Sequence, residues 1–332
     1  MNLIQINDDL DVPKYKQIIN SIFQAIQTGD LKRGDKIPSL NQIKDEFGLS
    51  RDTVLAAFKE LKDKKIISST PGKGYYISTT NIKQKEKIFL MFDEFNAFKE
   101  DLYNGFIGAI GNNAAVDIYF HHFNRQVMET LVEENKYKYT SFVIMPGSLE
   151  NIAPLIKKLP FERTYILDRK ADLPYLYGTI YQNFEEDIYD ALITGQMFLM
   201  KYEKLILVSP KGKEPEERKT GFLKFCKENS FDYELLESLD GRTVKQGEVY
   251  FVTHDRHLIQ IIKQTEKFKL HLGKNVGLVS FNDTDLKEVV AGGITTISTD
   301  FKLMGQDMAR MVLDRVKEVK ENPSQLIIRK SL

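Results

Sequence analysis

At 332 residues the chain is long enough for two or three domains and for a substantial core. Hydrophobic residues make up 42% and charged residues 28%, the balance of an ordinary soluble globular protein. The longest apolar runs, at 88–92 and 142–146, are strand length and far short of the roughly 20 residues that a membrane span needs.

The formal net charge of zero hides an asymmetry: residues 1–87 carry 15 Lys and Arg against 11 Asp and Glu, and the remainder 32 against 36. The direction suits an N-terminal nucleic-acid-binding face, although a strong basic patch would read far higher. The opening MNLIQINDDLDVPKYK has acids where a signal peptide has basic residues and then an apolar stretch, so the protein is expected to stay in the cytoplasm, with no membrane partner. The single cysteine, Cys226, cannot form an internal disulfide and reads as a buried small hydrophobe.

Along the chain, Tyr15, Ile18, Ile19, Ile22, Phe23 and Ile26 fall on one face of a helix over 14–28, which Gly29 closes. The stretch LKRGDKIPS reads as a loop. A second short helix runs from Ser39 to about Phe47, with Leu40, Ile43 and Phe47 inward. After the turn at Gly48-Leu49, Ser50 is placed to cap a third helix carrying Val54, Leu55, Phe58 and Leu61. Ile66-Ile67, the turn from Pro71 to Gly74, and Tyr75-Tyr76-Ile77 predict two short strands around a Gly-rich tip. Three helices and a hairpin within about 80 residues outline a winged helix-turn-helix. Residues 79–87, TTNIKQKEK, are polar without periodicity and read as a linker.

From Lys87 the pattern becomes alternating strand and helix. Strands are predicted at 88–92, 116–120, 141–145 and 164–167, and Phe98, Leu102, Phe106 and Ile110 form one helix stripe. The rhythm restarts after Gly178: helix 185–201, strand 205–208, helix 215–229, strand 249–252, helix 255–268, strand 276–281. This alternation argues an α/β fold with parallel sheets, and two such runs argue two lobes with a ligand site at the strands' carboxyl ends.

The segments VPKYKQIINSIFQAIQTGDLKRGDKIPS, FGLSRDTVLAAFKEL and GKGYYI resemble the DNA-binding domain of the GntR family over roughly residues 12–78. The resemblance rests on Gly29, Gly34-Asp35, Pro38-Ser39, Ser50-Arg51, Thr53-Val54, Gly72 and Gly74. It implies a recognition helix that enters the major groove by its N-terminal end. There Arg51 can fork onto guanine or a phosphate, and Ser39, Ser50 and Thr53 can cap helices or donate to phosphates. Lys73 at the wing tip can reach the backbone or minor groove, with Gly74 allowing close approach. Asp52 and Leu55 depart from what a DNA-facing helix favours, which leaves the operator sequence open.

GntR-type regulators carry unrelated C-terminal domains. The strands exclude the all-helical ones, and the chain lacks the length and lysine context of an aminotransferase-like domain. The marks YILDR, ERKTGF, THDR, VGLVSFND and the closing IIRKS resemble the LacI/periplasmic sugar-binding-protein fold over 87–332. The combination resembles the arabinose-type repressors. By that resemblance Asp93, Phe95, Arg169, Arg218, Asp255 and Asn282 are the expected effector contacts, with Tyr181 and Gln182 weaker. Carboxylates would accept from sugar hydroxyls, guanidinium groups would donate, and Phe95 would stack on a C–H face.

His254 and His257 around Asp255 read as helix-cap polar residues rather than metal ligands. No cofactor is expected, and no GxSxG, GxxxxGK[ST] or HExxH is present to indicate an enzyme. The reading is therefore an N-terminal winged helix-turn-helix domain (1–78), a linker (79–87) and a two-lobed periplasmic-binding-protein-like domain (88–332). It implies a homodimeric regulator on a palindromic operator, released by a monosaccharide such as a pentose or deoxyhexose. The alternatives are a phosphosugar, nucleoside or amino acid effector, activation instead of repression, and more remotely an enzyme fused to a DNA-binding head.

Overall fold

The computed structural model of the protein describes residues 3–8, 12–80, 86–173, 177–212 and 214–332. Residues 81–85 of the expected linker lie outside the described residues. Two compact units emerge, Met1–Lys85 and Glu86–Leu332.

The first unit has α1 (Lys14–Gln27), β1 (Lys36–Ile37), α2 (Leu40–Phe47), α3 (Arg51–Asp63), β2 (Ile67–Thr70) and β3 (Gly74–Ile77). Ile18, Ile22, Ile43, Val54, Phe58 and Leu61 pack into one core with Ile77 of the hairpin. Phe58 meets Tyr75 edge-on, ring centroids 4.5 Å apart, which fixes the hairpin against α3. β1 falls where a loop was expected. It pairs antiparallel with β3, Lys36 opposite Tyr76 and Ile37 opposite Tyr75, and two residues are too few to show the period-2 alternation of a strand. Leu55 is one step off the inward stripe of Val54, Phe58 and Leu61 and is 48% exposed.

The second unit opens with β4 (Glu86–Phe92), α4 (Ala97–Ile110), β5 (Ala114–Phe120), α5 (Arg125–Asn135), β6 (Ser141–Ile144), α6 (Ala153–Ile156), β7 (Thr164–Asp168) and β8 (Gly178–Tyr181). Then come α7 (Phe184–Leu199), β9 (Lys204–Val208), α8 (Glu216–Glu228), β10 (Asp232–Leu236), β11 (Glu248–Val252), α9 (Asp255–Lys267), β12 (Gly277–Phe281), α10 (Asp285–Val289) and β13 (Thr295–Thr299). The chain ends with α11 (Phe301–Asp314), β14 (Val319–Glu321) and β15 (Ser324–Ile327).

Two six-stranded sheets result, ordered β14-β8-β7-β6-β4-β5 and β10-β9-β11-β12-β13-β15. Every pairing is parallel except β13 with β15. Each sheet is the centre of a lobe with apolar clusters on its faces. The fold is thus a winged helix-turn-helix unit and an α/β two-lobed unit of periplasmic-binding-protein type.

The lobe boundary differs from the restart of the rhythm at Gly178. β8 lies between β7 and β14 in the first sheet, so the chain enters the second lobe only after it. It returns with α11, whose Phe301, Met304 and Met308 join the first lobe's core, and crosses once more between β14 and β15. Helix α11 crosses α4 at glycines: a Cβ on Gly105 would sit 2.2 Å from Lys302 O, and one on Gly305 2.1 Å from Leu102 O.

One buried residue, Asn322, ties the three crossings together through its backbone and its side chain. The Asn322 N–H donates to Tyr181 O at 2.8 Å, and its amide donates to Thr299 Oγ1 at 2.5 Å and Asp300 O at 3.1 Å. Among the described residues no helix is long and apolar enough to cross a membrane.

Candidate functional site

Two surfaces collect the residues singled out in the sequence. In the first unit they lie at the start of α3 and the tip of the β2–β3 hairpin. Ser50, in extended backbone, accepts from Thr53 N at 3.1 Å, and its Oγ lies 2.8 Å from Thr53 Oγ1. Both hydroxyls therefore serve the cap, which satisfies an amide that the first turn leaves unpaired. Arg51 follows on the exposed side, with Asp52 beside it. Ser39 closes a capping box on α2: it accepts from Gln42 N at 3.3 Å, while Gln42 Oε1 accepts from Ser39 N at 2.8 Å. At the hairpin tip Lys73 is exposed. Its N–H donates to Thr70 O at 3.0 Å and its carbonyl accepts from Tyr76 Oη at 3.1 Å. Gly74, at φ +116°, holds a backbone that a side chain would strain.

In the second unit the residues gather where both sheets present their strand ends. A cavity of about 80 Å³ is lined there by Asp93 after β4, Gly147-Ser148 after β6, Asp168-Arg169 at the end of β7 and Gln182 after β8. From the other lobe come Glu214, Pro215 and Arg218 at the start of α8, His254 after β11 and Asn282 after β12. Loops at the carboxyl ends of parallel strands converge by construction, which is why ligand sites form there.

The chemistry of the lining is paired charge. Asp93, buried, accepts from Glu94 N at 2.6 Å and holds an ion pair with the equally buried Lys99 from the first turn of α4. Arg218 Nη1 donates to Glu214 Oε2 at 2.6 Å. Its guanidinium carbon lies 5.0 Å from the Phe184 ring and 4.8 Å from the Phe281 ring. That planar group is held by cation–π contact with two rings as well as by its ion pair. Arg169 Nη2 reaches Glu217 Oε1 at 2.5 Å.

Asp168, with backbone at φ +75°, accepts from Gln182 Nε2 at 2.6 Å; burial pushes its carboxyl up against the pull of Lys99. Asn282 also sits at positive φ, a conformation that short polar side chains tolerate. It is steadied by Lys287, whose ammonium donates to Phe281 O at 2.8 Å and Asn282 O at 2.7 Å. Gly147, at φ +60°, leaves no room for a Cβ: Asp93 Cβ would lie 3.0 Å away.

Four of the six expected effector residues line this cavity: Asp93, Arg169, Arg218 and Asn282. Phe95 does not; it is 51% exposed and packs edge-on against Phe120. The aromatic lining is instead Phe98, Phe123, Phe184 and Phe301. Asp255 also stands outside it. As the first residue of α9 it points to Lys287 at 3.2 Å, and the residue turned to the cavity at that strand end is His254, its Nε2 3.9 Å from Glu214 Oε1.

Of the two weaker candidates Gln182 lines the cavity, while Tyr181 donates to Glu321 Oε2 at 3.0 Å. Lys99, Glu214 and Lys287 were not singled out, and Asp168 was read only as part of the YILDR mark and not as a contact. Lys99 and Glu214 sit six residues after Asp93 and four before Arg218, on local helical or loop geometry without a motif of its own. Among the described residues no cluster of three or more His, Cys, Asp or Glu is arranged to hold a metal ion.

Behind the cavity, Asp187 in the first turn of α7 accepts from Ser324 N at 2.7 Å through Oδ1, while Oδ2 is buried without a hydrogen-bond partner among the described residues. Burial pushes its carboxyl up to about 6. The native state therefore keeps this proton to higher pH than the unfolded chain, where an Asp titrates near 4. The stability it supplies is full below about 4 and is lost as pH rises through about 6. Asp187→Asn removes that titration. The stability of the variant minus that of the parent is expected to rise by about 2 kcal/mol between pH 4 and 7 in denaturant unfolding. A difference that stays level over that range would mean that Asp187 is ionised throughout.

Comparison with known proteins agrees with both halves. Residues 14–77 match the family of bacterial regulatory proteins, gntR family, and residues 201–332 match the periplasmic binding protein-like domain. The mannosyl-D-glycerate transport/metabolism system repressor MngR of Escherichia coli (strain K12) is 35% identical over 82 residues, 25% of this chain and 34% of MngR. The HTH-type transcriptional repressor YtrA of Bacillus subtilis (strain 168) is 33% identical over 100 residues, 30% of this chain and 73% of YtrA. The chain thus spans only about a third of MngR.

In fold, the chain is similar to a periplasmic binding protein/LacI transcriptional regulator from Alkaliphilus metalliredigens, crystallised with D-xylulofuranose. The TM-score is 0.60 at 14% identity, over 74% of this chain and 98% of that one. With a family match over residues 14–77, a 33%-identical relative covered over 73% of its length, and capped helices and a wing in the matched segment, the chain belongs to the GntR family of bacterial regulatory proteins.

Proposed function

We propose that the protein is a cytoplasmic transcriptional repressor of sugar metabolism that binds operator DNA through residues 1–78 and a monosaccharide between the lobes of residues 88–332. The observation that carries this reading is the interlobe cavity, in which Asp93, Asp168, Gln182, Arg218, His254 and Asn282 converge from six different strand or helix ends. Such a ring of planar donors and acceptors beside aromatic faces suits a polyhydroxylated ligand. The charges favour an uncharged sugar over a phosphosugar. Among the described residues, the lysine and arginines that line the cavity, Lys99, Arg169 and Arg218, are each bonded to a carboxylate of the chain, so none of them is left uncompensated for a phosphate dianion.

Arg51 and Lys73 are the base-reading and backbone-gripping side chains, with Ser39, Ser50, Thr53 and Gly74 setting their frame. A homodimer would present two such faces to a palindromic operator. The sugar acts by binding two states of the protein with unequal affinity, the condition for any ligand to shift an equilibrium. A pentose or deoxyhexose is the expected effector.

The test is thermal unfolding of the full chain with a panel of monosaccharides. A cognate sugar at a hundred times its Kd adds about 2.7 kcal/mol of stability and raises the midpoint accordingly. If no neutral sugar moves the midpoint while a phosphosugar, nucleoside or amino acid does, the effector class is wrong.

A further inference from the structure

Among the described residues, the lobes of the second unit touch each other across the opening of the cleft through two hydrogen-bonded contacts. Ser148, just after β6 in the first lobe, donates its hydroxyl to Gly212 O of the second lobe at 2.9 Å. Arg169, just after β7, reaches Glu217 Oε1 in the first turn of α8 at 2.5 Å. Arg169 Nη1 also reaches Gly147 O at 3.4 Å, which keeps the guanidinium seated on its own lobe. Neither contact involves the crossing segments at 182–184, 299–301 and 321–323. Because Asn322 binds those crossings together, the lobes can separate only by parting at the opening, and both contacts must then break.

We propose that Ser148–Gly212 and Arg169–Glu217 form a latch that holds the two lobes closed independently of effector, and that its strength sets how much of the closed form exists before any sugar binds. Closure that is already made need not be supplied by the ligand, so the latch raises apparent affinity by the fraction of closed protein it maintains. It also slows entry, since the sugar must wait for an opening. Arg169 is thereby a positioning residue that acts between lobes in addition to lining the cavity. The ion pair is partly open to water, its side chains 30% and 42% exposed, so salt screens it.

The latch predicts a behaviour that can be read without knowing the sugar. In the full chain, Lys157→Cys on the first lobe and Glu237→Cys on the second provide exposed attachment points for spin labels. The native Cys226 is buried, its thiol pushed up to about 12, and is spared by labelling at neutral pH. With no sugar added and at low salt, double electron–electron resonance is expected to give one short, narrow distance distribution. Adding Glu217→Gln, with or without Ser148→Ala, is expected to raise the open-to-closed ratio about fivefold and to broaden the distribution toward longer distances.

Raising salt from about 0.01 M to 1 M shortens the Debye length from about 30 Å to about 3 Å. It is expected to move the protein with the intact latch the same way and to leave the Glu217→Gln protein where it is. The salt series needs no latch substitution, so it stands even if a latch variant folds poorly. Identical low-salt distributions with and without Glu217→Gln, or an equal response of both to salt, would overturn the latch.

Discussion

Arg51→Ala is expected to weaken operator binding by about 1–3 kcal/mol and to relax the preference for the operator's sequence. The argument begins at Ser50, whose hydroxyl caps α3 and so fixes where the helix starts. Arg51 is then the first side chain past the cap, exposed, and outside the core of Val54, Phe58 and Leu61. The helix N-terminus approaches DNA, and a guanidinium there can fork onto a guanine edge, which is the commonest specific contact in the major groove.

Because nothing in the core rests on Arg51, the melting temperature of the variant should match that of the parent. A loss of binding would then be a loss of contact rather than of fold. Lys73→Ala at the hairpin tip provides the contrast. A lysine that meets phosphate releases counterions and carries no base information, so its removal should weaken specific and random DNA alike and flatten the slope of log K against log salt by about one. Should Arg51→Ala bind the operator as tightly as the parent in a gel shift, with its sequence preference intact, the start of α3 is not the reading head.

Arg218→Ala is expected to raise the sugar concentration that half-releases the operator by about 10- to 100-fold while leaving operator affinity in the absence of sugar intact. The guanidinium is buried, in cation–π contact with Phe184 and Phe281 and bonded to Glu214, so its remaining N–H groups are held in place before any ligand arrives. Charge-assisted hydrogen bonds from such a preset group contribute about 1.5–3 kcal/mol each, and truncation also strands the Glu214 carboxylate in the cleft wall. Arg218→Lys should recover little, because an ammonium keeps the charge but neither the fork nor the stacking plane. Operator binding should survive because the substitution lies in the unit formed by Glu86–Leu332, whereas the proposed DNA-binding face lies within residues 14–77, the segment that matches the gntR family. An unchanged release curve for Arg218→Ala would place the ligand elsewhere.

The legible part of the fold was the part written in local periodicity and punctuation. Ile18, Ile22 and Ile26 on one stripe, Ser39 and Ser50 at two helix starts, and the glycines of the hairpin tip each state a local geometry with a local cause. The strand ends of the second unit were legible for the same reason; the choice of Asp93, Arg169, Arg218 and Asn282 came from the family resemblance, and those four line one cavity.

What was not legible depends on partners distant in sequence. Nothing in GTIY says that β8 pairs with β7 and with β14, which lies some 140 residues on, so the restart of the rhythm was placed one strand too early. Phe95 and Asp255 each sit three residues past a strand end and next to a residue that does line the cavity, Glu94 and His254, and a turn of one residue exchanges one side chain for its neighbour. Lys99 and Glu214 carry no motif; they enter because Asp93 and Arg218 are costly to bury alone and require a countercharge. The latch rests on pairs 64 and 48 residues apart, which no local pattern announces.

The central claim is that one protein couples operator DNA to a neutral sugar. It is tested most directly by a fluorescence-anisotropy titration of the full chain on an operator selected from random duplexes, with neutral monosaccharides and their phosphates as titrants. The account predicts that a pentose or deoxyhexose releases the operator along a saturable curve, and that the phosphate of the same sugar fails to do so at comparable concentration. Release by the phosphorylated sugar alone, or an operator affinity that no neutral monosaccharide alters, would contradict it.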